Sequence, residues 1–430
     1  MQMVEECQGL NSVKTSWLLP WVICFVASLF FFYEFIQGNM FASIADNIML
    51  DFHIQADKMT YLSSIYYASN VLFLLVAGVL LDRFSAKKTI IIAMLLCVLS
   101  TFTLAHAHSF YLALFCRFLT GIGSAFCFLG PIRIASRWFP SKQMALVTGV
   151  VVTIAMMGGM LAQYPLTKLV ILIGWRDSLV TIGWLGILML AAMLVWIKDA
   201  PENEVVHVRK HMSVLATAKK AYLNLQTMRA ALYASLMNMA VAVFGAMMGS
   251  LYLMQRLGVN KEDAAMVNSM LFLGAIIGGP VIGWCSDKLG LRILPMKLGA
   301  LASLITVTGI LYLPVSLNEM AVLFFLLGFF TAAQIISYAL VAESCSPIMT
   351  ATALSIVSIL TQGGYIIYQN LFSFLLLRHG EMHVFDNVPI YSLGDYQAAS
   401  VILPLGLGLA LFSIFKLKET HCRNTFDKDN

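Results

Sequence analysis

Charge is scarce in this sequence. Of its 430 residues 11% are Asp, Glu, Lys or Arg, while 60% are hydrophobic. A soluble domain carries about 25% charged residues, so the chain holds less than half of what a water-facing surface needs. Folded as a soluble body it would present large apolar patches and aggregate. That excludes a disordered chain, a nucleic-acid-binding domain and an ordinary cytosolic enzyme. Paired cysteines are missing too. The eight cysteines include no CxxC pair, and most stand in apolar runs, where a free thiol behaves as a small hydrophobe. Neither a disulfide framework nor a zinc site follows. There is no phosphate-cradling loop, nucleophile elbow or metalloprotease helix, which argues against an ATP-driven pump or an intramembrane hydrolase. His207 and His211, like His379 and His383, stand four apart without a full ligand set, so no metal and no cofactor is expected. The chain does not read as an enzyme.

What is present is a series of long apolar runs. At about 20 residues per span, hydropathy predicts helices at about 17–45, 60–81, 88–107, 110–133, 145–168 and 177–197. A second set falls at about 229–254, 263–284, 293–314, 319–342, 350–377 and 395–417. The first run has no small-residue cleavage site and reads as a retained helix. The expected organisation is an N-terminal six-helix bundle over 1–197, a basic linker with a surface helix over 198–228, and a C-terminal bundle with its tail over 229–430. With the N-terminus inside, 20 of the 27 Lys and Arg fall in cytoplasmic segments, 6 fall outside, and Arg117 lies within a span. That is a positive-inside pattern with both termini cytoplasmic.

The two halves share a motif. Gly78-Val-Leu-Leu-Asp82-Arg83 follows the second helix, and Gly283-Trp-Cys-Ser-Asp287-Lys288, with Arg292 beyond it, follows the eighth. Both Gly78 to Gly283 and Asp82 to Asp287 span 205 residues, so the halves are repeats in register. Glycine would let two helices pack closely, and Asp would cap or pair at a helix end. Further along come Arg117-Phe-Leu-Thr-Gly121-Ile-Gly123, Arg137-Trp138-Phe139-Pro140 and Gly174-Trp175-Arg176.

These motifs together resemble the major facilitator superfamily over the whole chain. The branch they resemble is that of bacterial metabolite or nutrient carriers. Ser85 and Ala86 depart from the family pattern in the first of the two loops. The resemblance implies an all-α integral membrane protein with twelve transmembrane helices in two six-helix pseudo-repeats. It implies transport by rocking of the halves about a central cavity, in a bacterial inner membrane, with Gly78, Asp82, Arg83, Gly283, Asp287 and Arg292 gating the cytoplasmic side.

A charge inside a span costs about 2.5–3.5 kcal/mol on insertion scales, so Glu34 and Arg117 require a reason. They read as a proton carrier, a substrate-charge binder, or a static ion pair. The polar set around them is Tyr33, Gln37, Tyr67, Asn70, Gln163, Asn238, Gln334, Tyr338, Gln362 and Tyr365. These side chains would orient a small polar solute or act as interhelical glue. The expected function is a monomeric secondary carrier, coupled to protons as a symporter, for an amino acid, peptide, organic anion or siderophore-like carboxylate. A drug or metabolite efflux antiporter is the alternative, and a non-transporting sensor on a carrier scaffold is the alternative of another class. The expected partners are the solute, protons and the lipid bilayer, with no nucleic acid.

Overall fold

The structure is a computed structural model, and it describes residues 18–139, 143–199, 224–345, 350–379, 383–385 and 388–423. Most of the expected linker, residues 200–223, lies outside the described residues, as does the side chain of Asp82.

Backbone polar groups in a bilayer have no water to bind, so a spanning chain satisfies them internally as helix. Ten helices among the described residues are long and apolar enough to cross a membrane. In chain order the spans are α1 (Leu18–Asn39, continued by Phe41–Asp51), α2 (Ala56–Arg83), α3 (Ala86–Ala105), α4 (Phe110–Trp138), α5 (Leu146–Ile173) and α6 (Trp175–Trp196). The second half has α7 (Leu225–Leu257), α8 (Lys261–Leu289), α9 (Ile293–Tyr312), α10 (Leu317–Glu343), α11 (Thr350–His379) and α12 (Leu393–Ile414). α2 and α11, 28 and 30 residues long, complete the twelve. A short antiparallel pair, β1 (His383–Phe385) with β2 (Val388–Ile390), links α11 to α12.

Local sequence sets the ends. Asn224 and Asn260 accept hydrogen bonds from the first-turn amides of α7 and α8. Ser316 with Glu319 and Ser392 with Asp395 form capping boxes. The two halves also share a device that the motif register hides. A carboxylate just beyond the last helix of each half caps the third helix of that half. Asp199 accepts from the Lys87 amide at 2.8 Å and from the Ser85 hydroxyl. Glu419 accepts from the amides of Arg292 and Ile293, both at 2.8 Å. Burial pushes the Glu419 carboxyl up, but the amides of Ile293, Arg292, His421 and Thr420 outweigh it and hold the group below the usual carboxylate range. A lowered native pKa means that this tie is present above the unfolded pKa and is lost as pH falls through the native one.

Each half packs through backbone contact. In α4, a Cβ at Gly121 would collide with the carbonyl oxygen of Tyr66 on α2; in α10, one at Gly328 would collide with the carbonyl oxygen of Leu271 on α8. The α2–α4 and α8–α10 crossings are therefore the same close approach, repeated. The motif glycines Gly78 and Gly283 have no such role. A Cβ at either meets nothing within 4 Å, which corrects the close-packing reason assigned to them from sequence.

Gly328→Val is expected to lower the yield and the melting temperature of detergent-purified protein, since backbone cannot yield as a flexible side chain would. The loss should exceed the 1–3 kcal/mol typical of overpacking. Gly283→Ala should leave both unchanged or slightly raised, because Ala is the better helix former. Equal losses in the two variants would contradict this packing scheme.

Candidate functional site

Glu34 on α1 and Arg117 on α4 are both fully buried. They do not form the direct ion pair considered from sequence, because Tyr66 of α2 stands between them. Its hydroxyl donates to Glu34 Oε2 at 3.1 Å, and its ring lies 4.5 Å below the Arg117 guanidinium carbon. Phe41 covers the other face of the guanidinium at 4.7 Å. Such aromatic faces attract a cation. The Arg117 Nε–H donates to the Leu62 carbonyl at 3.2 Å. Both terminal nitrogens of Arg117 have no hydrogen-bond partner, while the Cys97 thiol lies beside the Glu34 carboxyl. Buried polar groups are almost always paired, so this cluster holds unspent capacity on its cation.

The other expected site residues divide by what they touch. Tyr33 and Gln37 both bind the Thr101 hydroxyl of α3, at 3.0 and 2.9 Å. These bonds tie α1 to α3 inside the first half, the arrangement that interhelical glue would have. Asn70 donates to Ser124 at 2.7 Å, again within the half. Asn238 accepts from Gln334 at 3.0 Å, joining α7 to α10. Tyr338 and Gln362 are half-buried on α10 and α11. Tyr67 donates to the Gly38 carbonyl at 2.9 Å, and its ring lies 4.6 Å from that of Tyr365 across the divide between the halves.

Gln163 belongs to a different structure, a seal between the halves. Residues 241–248 of α7 form a π-helix, a geometry that departs from the i→i−4 ladder and is frequent at functional sites. Side-chain amides from three helices dock on the carbonyls of that stretch. Gln163 of α5 reaches Gly245 at 2.8 Å, Asn268 of α8 reaches Phe244 at 3.1 Å, and Gln369 of α11 reaches Ala242 at 3.0 Å. Asn268 also donates to Gln163 at 2.7 Å. At the same end Lys261 binds Asp46 at 2.6 Å and Asn47 at 3.0 Å. Glu262 takes Tyr164 at 3.0 Å and Lys168 at 3.2 Å. Thr60 meets Ser373, and the Tyr391 hydroxyl accepts from the Ala56 amide at 3.3 Å. The bundle is sealed at its Asp46 end. Asp46, Lys261, Asn268, Thr60 and Ser373 escaped the sequence reading of the site; an Asn inside an apolar span was the one available signal.

At the opposite end, Arg292 is the hub of the second loop motif. It binds Asp287 at 2.6 Å, Glu343 at 2.6 Å and Ser286 at 3.0 Å. These partners are on its own half, and they brace α8 to α10 at the loop. Arg83 is exposed at the end of α2.

A twelve-helix bundle of two similar halves, closed at one end over a buried charged cluster, defines an integral, multi-pass membrane protein built like a solute carrier. The Major Facilitator Superfamily pattern matches residues 23–367 and 230–421, and the chain belongs to that family. It is 22% identical to the hexuronate transporter of Bacillus subtilis over 59% of this chain and 61% of that one. It is 24% identical to a membrane sensor protein of Salmonella typhimurium over 74% of this chain and 76% of that one. The chain spans between 44% and 61% of the length of the first curated relatives it matches. Among solved structures, a bacterial homolog of the human lysosomal transporter Spinster, inward-facing and occupied, overlays with a TM-score of 0.72 at 16% identity, covering 93% of this chain and 96% of that one.

The buried Asp46–Lys261 pair is expected to hold the seal. Lys261→Met strands a buried carboxylate, at a cost of about 3–5 kcal/mol to the sealed state. A single cysteine at Thr60, buried here, should then react with maleimide at least tenfold faster than in the parent. Replacing both partners with apolar residues should restore slow labelling. Unchanged labelling in Lys261→Met would show that the pair does not hold this end.

Proposed function

We propose that the chain is a secondary carrier moving a small organic anion by alternating access, with Glu34 as the proton-carrying group. The reading takes 1–197 and 229–430 as the two rocking halves and 198–228 as a cytoplasmic linker between them. It takes the bacterial inner membrane as the location and the end rich in Lys and Arg as cytoplasmic. The sealed Asp46 end then faces outward.

The observation that carries this reading is the buried guanidinium of Arg117 with both terminal nitrogens unpaired. A planar fork of donors matches a carboxylate, and the hexuronate named for one relative is a carboxylate. Tyr66 touches both the cation and the acid. An anion drawn to the fork would compete with Glu34 for the influence of Arg117 and would shift the proton equilibrium of Glu34 through Tyr66. Glu34, Tyr66 and Arg117 all belong to the first half, so rigid-body rocking leaves their contacts intact. The coupling step is therefore solute binding, and rocking follows it.

Reconstituted in proteoliposomes and offered labelled glucuronate, the parent should accumulate label under an inward proton gradient. Glu34→Gln should lose accumulation but keep counterflow exchange, since the amide stands in for a permanently protonated acid. Arg117→Lys loses the fork, and the missing charge-assisted hydrogen bond, about 1.5–3 kcal/mol, should weaken carboxylate binding about 10- to 100-fold. Gradient-driven accumulation by Glu34→Gln would end the proton-coupling reading. The similarity to a sensor protein over three quarters of both chains supports a second reading, a receptor on the carrier scaffold. Saturable glucuronate binding without flux in the parent would favour it.

A further inference from the structure

The end of α12 folds back over the first turns of α7 and α9 and brings basic groups to one corner of the second half. Gln226 of α7 exchanges two hydrogen bonds with the backbone of Lys418, at 2.8 and 3.1 Å. Arg229 donates to the Lys416 carbonyl at 2.9 Å. Lys297 of α9 lies 5.0 Å from the ring of Phe415, and Lys416 lies 6.0 Å from that of Phe412. None of Arg229, Lys297, Lys416 and Lys418 takes part in an ion pair among the described residues. The nearby acids are committed elsewhere, Glu343 to Arg292 and Glu419 to the amides that start α9. At the far end of the bundle the bases Lys168, Arg176 and Lys261 do pair with carboxylates. Among the described residues the corner is thus a cluster of cations without carboxylate partners.

It also opens straight onto lipid. Phe412 and Phe415 are 62% and 66% exposed. Below the lysines runs an exposed row on α9, Leu298, Leu301 and Ile305, beside one on α12, Leu405, Leu409 and Phe412. The spacings of three, four and seven put each row on one helix face. Gly408 on α12 adds no side chain, and a Cβ there would meet nothing within 4 Å.

We propose that this corner is a binding site for an anionic phospholipid, with the headgroup phosphate on Lys297, Lys416, Lys418 and Arg229 and the acyl chains along the paired apolar rows of α9 and α12. Basic pockets between transmembrane helices suit such headgroups. A free phosphate would use the lysines but gain nothing from the rows. By holding the tail, the lipid would also hold Glu419 on the start of α9 and Thr420 on Glu343, at 2.5 Å, next to the Arg292 hub.

The test uses purified full-length protein in detergent, titrated with phosphatidylglycerol, phosphatidylcholine or inorganic phosphate, with thermal stability and native mass spectrometry as readouts. Phosphatidylglycerol should raise the melting temperature and remain bound, while the other two should not. Each lysine near an anionic headgroup contributes about fivefold to binding. The double variant Lys297→Gln, Lys416→Gln should therefore retain roughly 25-fold less of this lipid, and Lys87→Gln, Lys88→Gln, which removes the same charge from the other half, should retain it like the parent. Equal losses in the two double variants would overturn the site. So would a parent protein that does not prefer phosphatidylglycerol to phosphatidylcholine, a reading that needs no variant to fold. Stabilisation by inorganic phosphate equal to that by the lipid would overturn the lipid assignment.

Discussion

Hydrocarbon offers no hydrogen-bond partners, and most of the polar architecture of this bundle follows from that. A side-chain amide or hydroxyl in a span must find its partner on another helix or leave a costly orphan. Thr101 on α3 therefore collects both Tyr33 and Gln37 of α1. For the same reason the π-helical stretch of α7, whose carbonyls have left the ordinary ladder, attracts amides from α5, α8 and α11. One of those three, Gln163, comes from the opposite half. Closing the Asp46 end and satisfying α7 are then one event, because separating the halves removes the Gln163 amide from Gly245 and from Asn268 together.

The repeat was legible where it is written in loops and obscure where it is written in backbone. Asp82 and Asp287 stand 205 residues apart in matching motifs, and ten of the twelve expected spans are helices apolar enough to cross a membrane. The carboxylate caps of α3 and α9 are harder to find. Asp199 and Glu419 follow their last helices at different distances, and a register search passes over them. The glycines misled in an instructive way. Gly78 and Gly283 recur in register yet face open space, whereas Gly121 and Gly328 carry the helix crossings. A helix sequence does not say which of its small residues faces a neighbour.

The site was legible in its ionisable residues and less so in its neutral ones. Glu34 and Arg117 declared themselves by insertion cost, and both are buried together with Tyr66 between them. Tyr and Gln carry little such cost, so sequence cannot separate a solute ligand from interhelical glue. Tyr33, Gln37 and Asn70 hold helices of their own half together, and Gln163 holds the seal. The Asp46–Lys261 pair lies near loop ends where charge is unremarkable, and only its burial shows that it differs from a solvated loop pair.

The halves repeat in fold but not in chemistry. The first half holds Glu34 and Arg117, while the facing interior of the second offers the neutral groups of Asn238, Gln334, Tyr365 and Gln369. A charge already balanced on one half asks the other only for donors and acceptors, which can break and re-form at about 1 kcal/mol each. Had the acid and the guanidinium been split between the halves, every rocking cycle would have had to separate a buried ion pair at several kcal/mol. Among the described residues, the one buried ion pair that does cross the divide, Asp46 with Lys261, lies beside the loops. There, opening lets water in and hydrates both partners as they part. Keeping charge together at the centre, and letting it separate only where water can follow, is what allows such a bundle to open one end without stranding an ion.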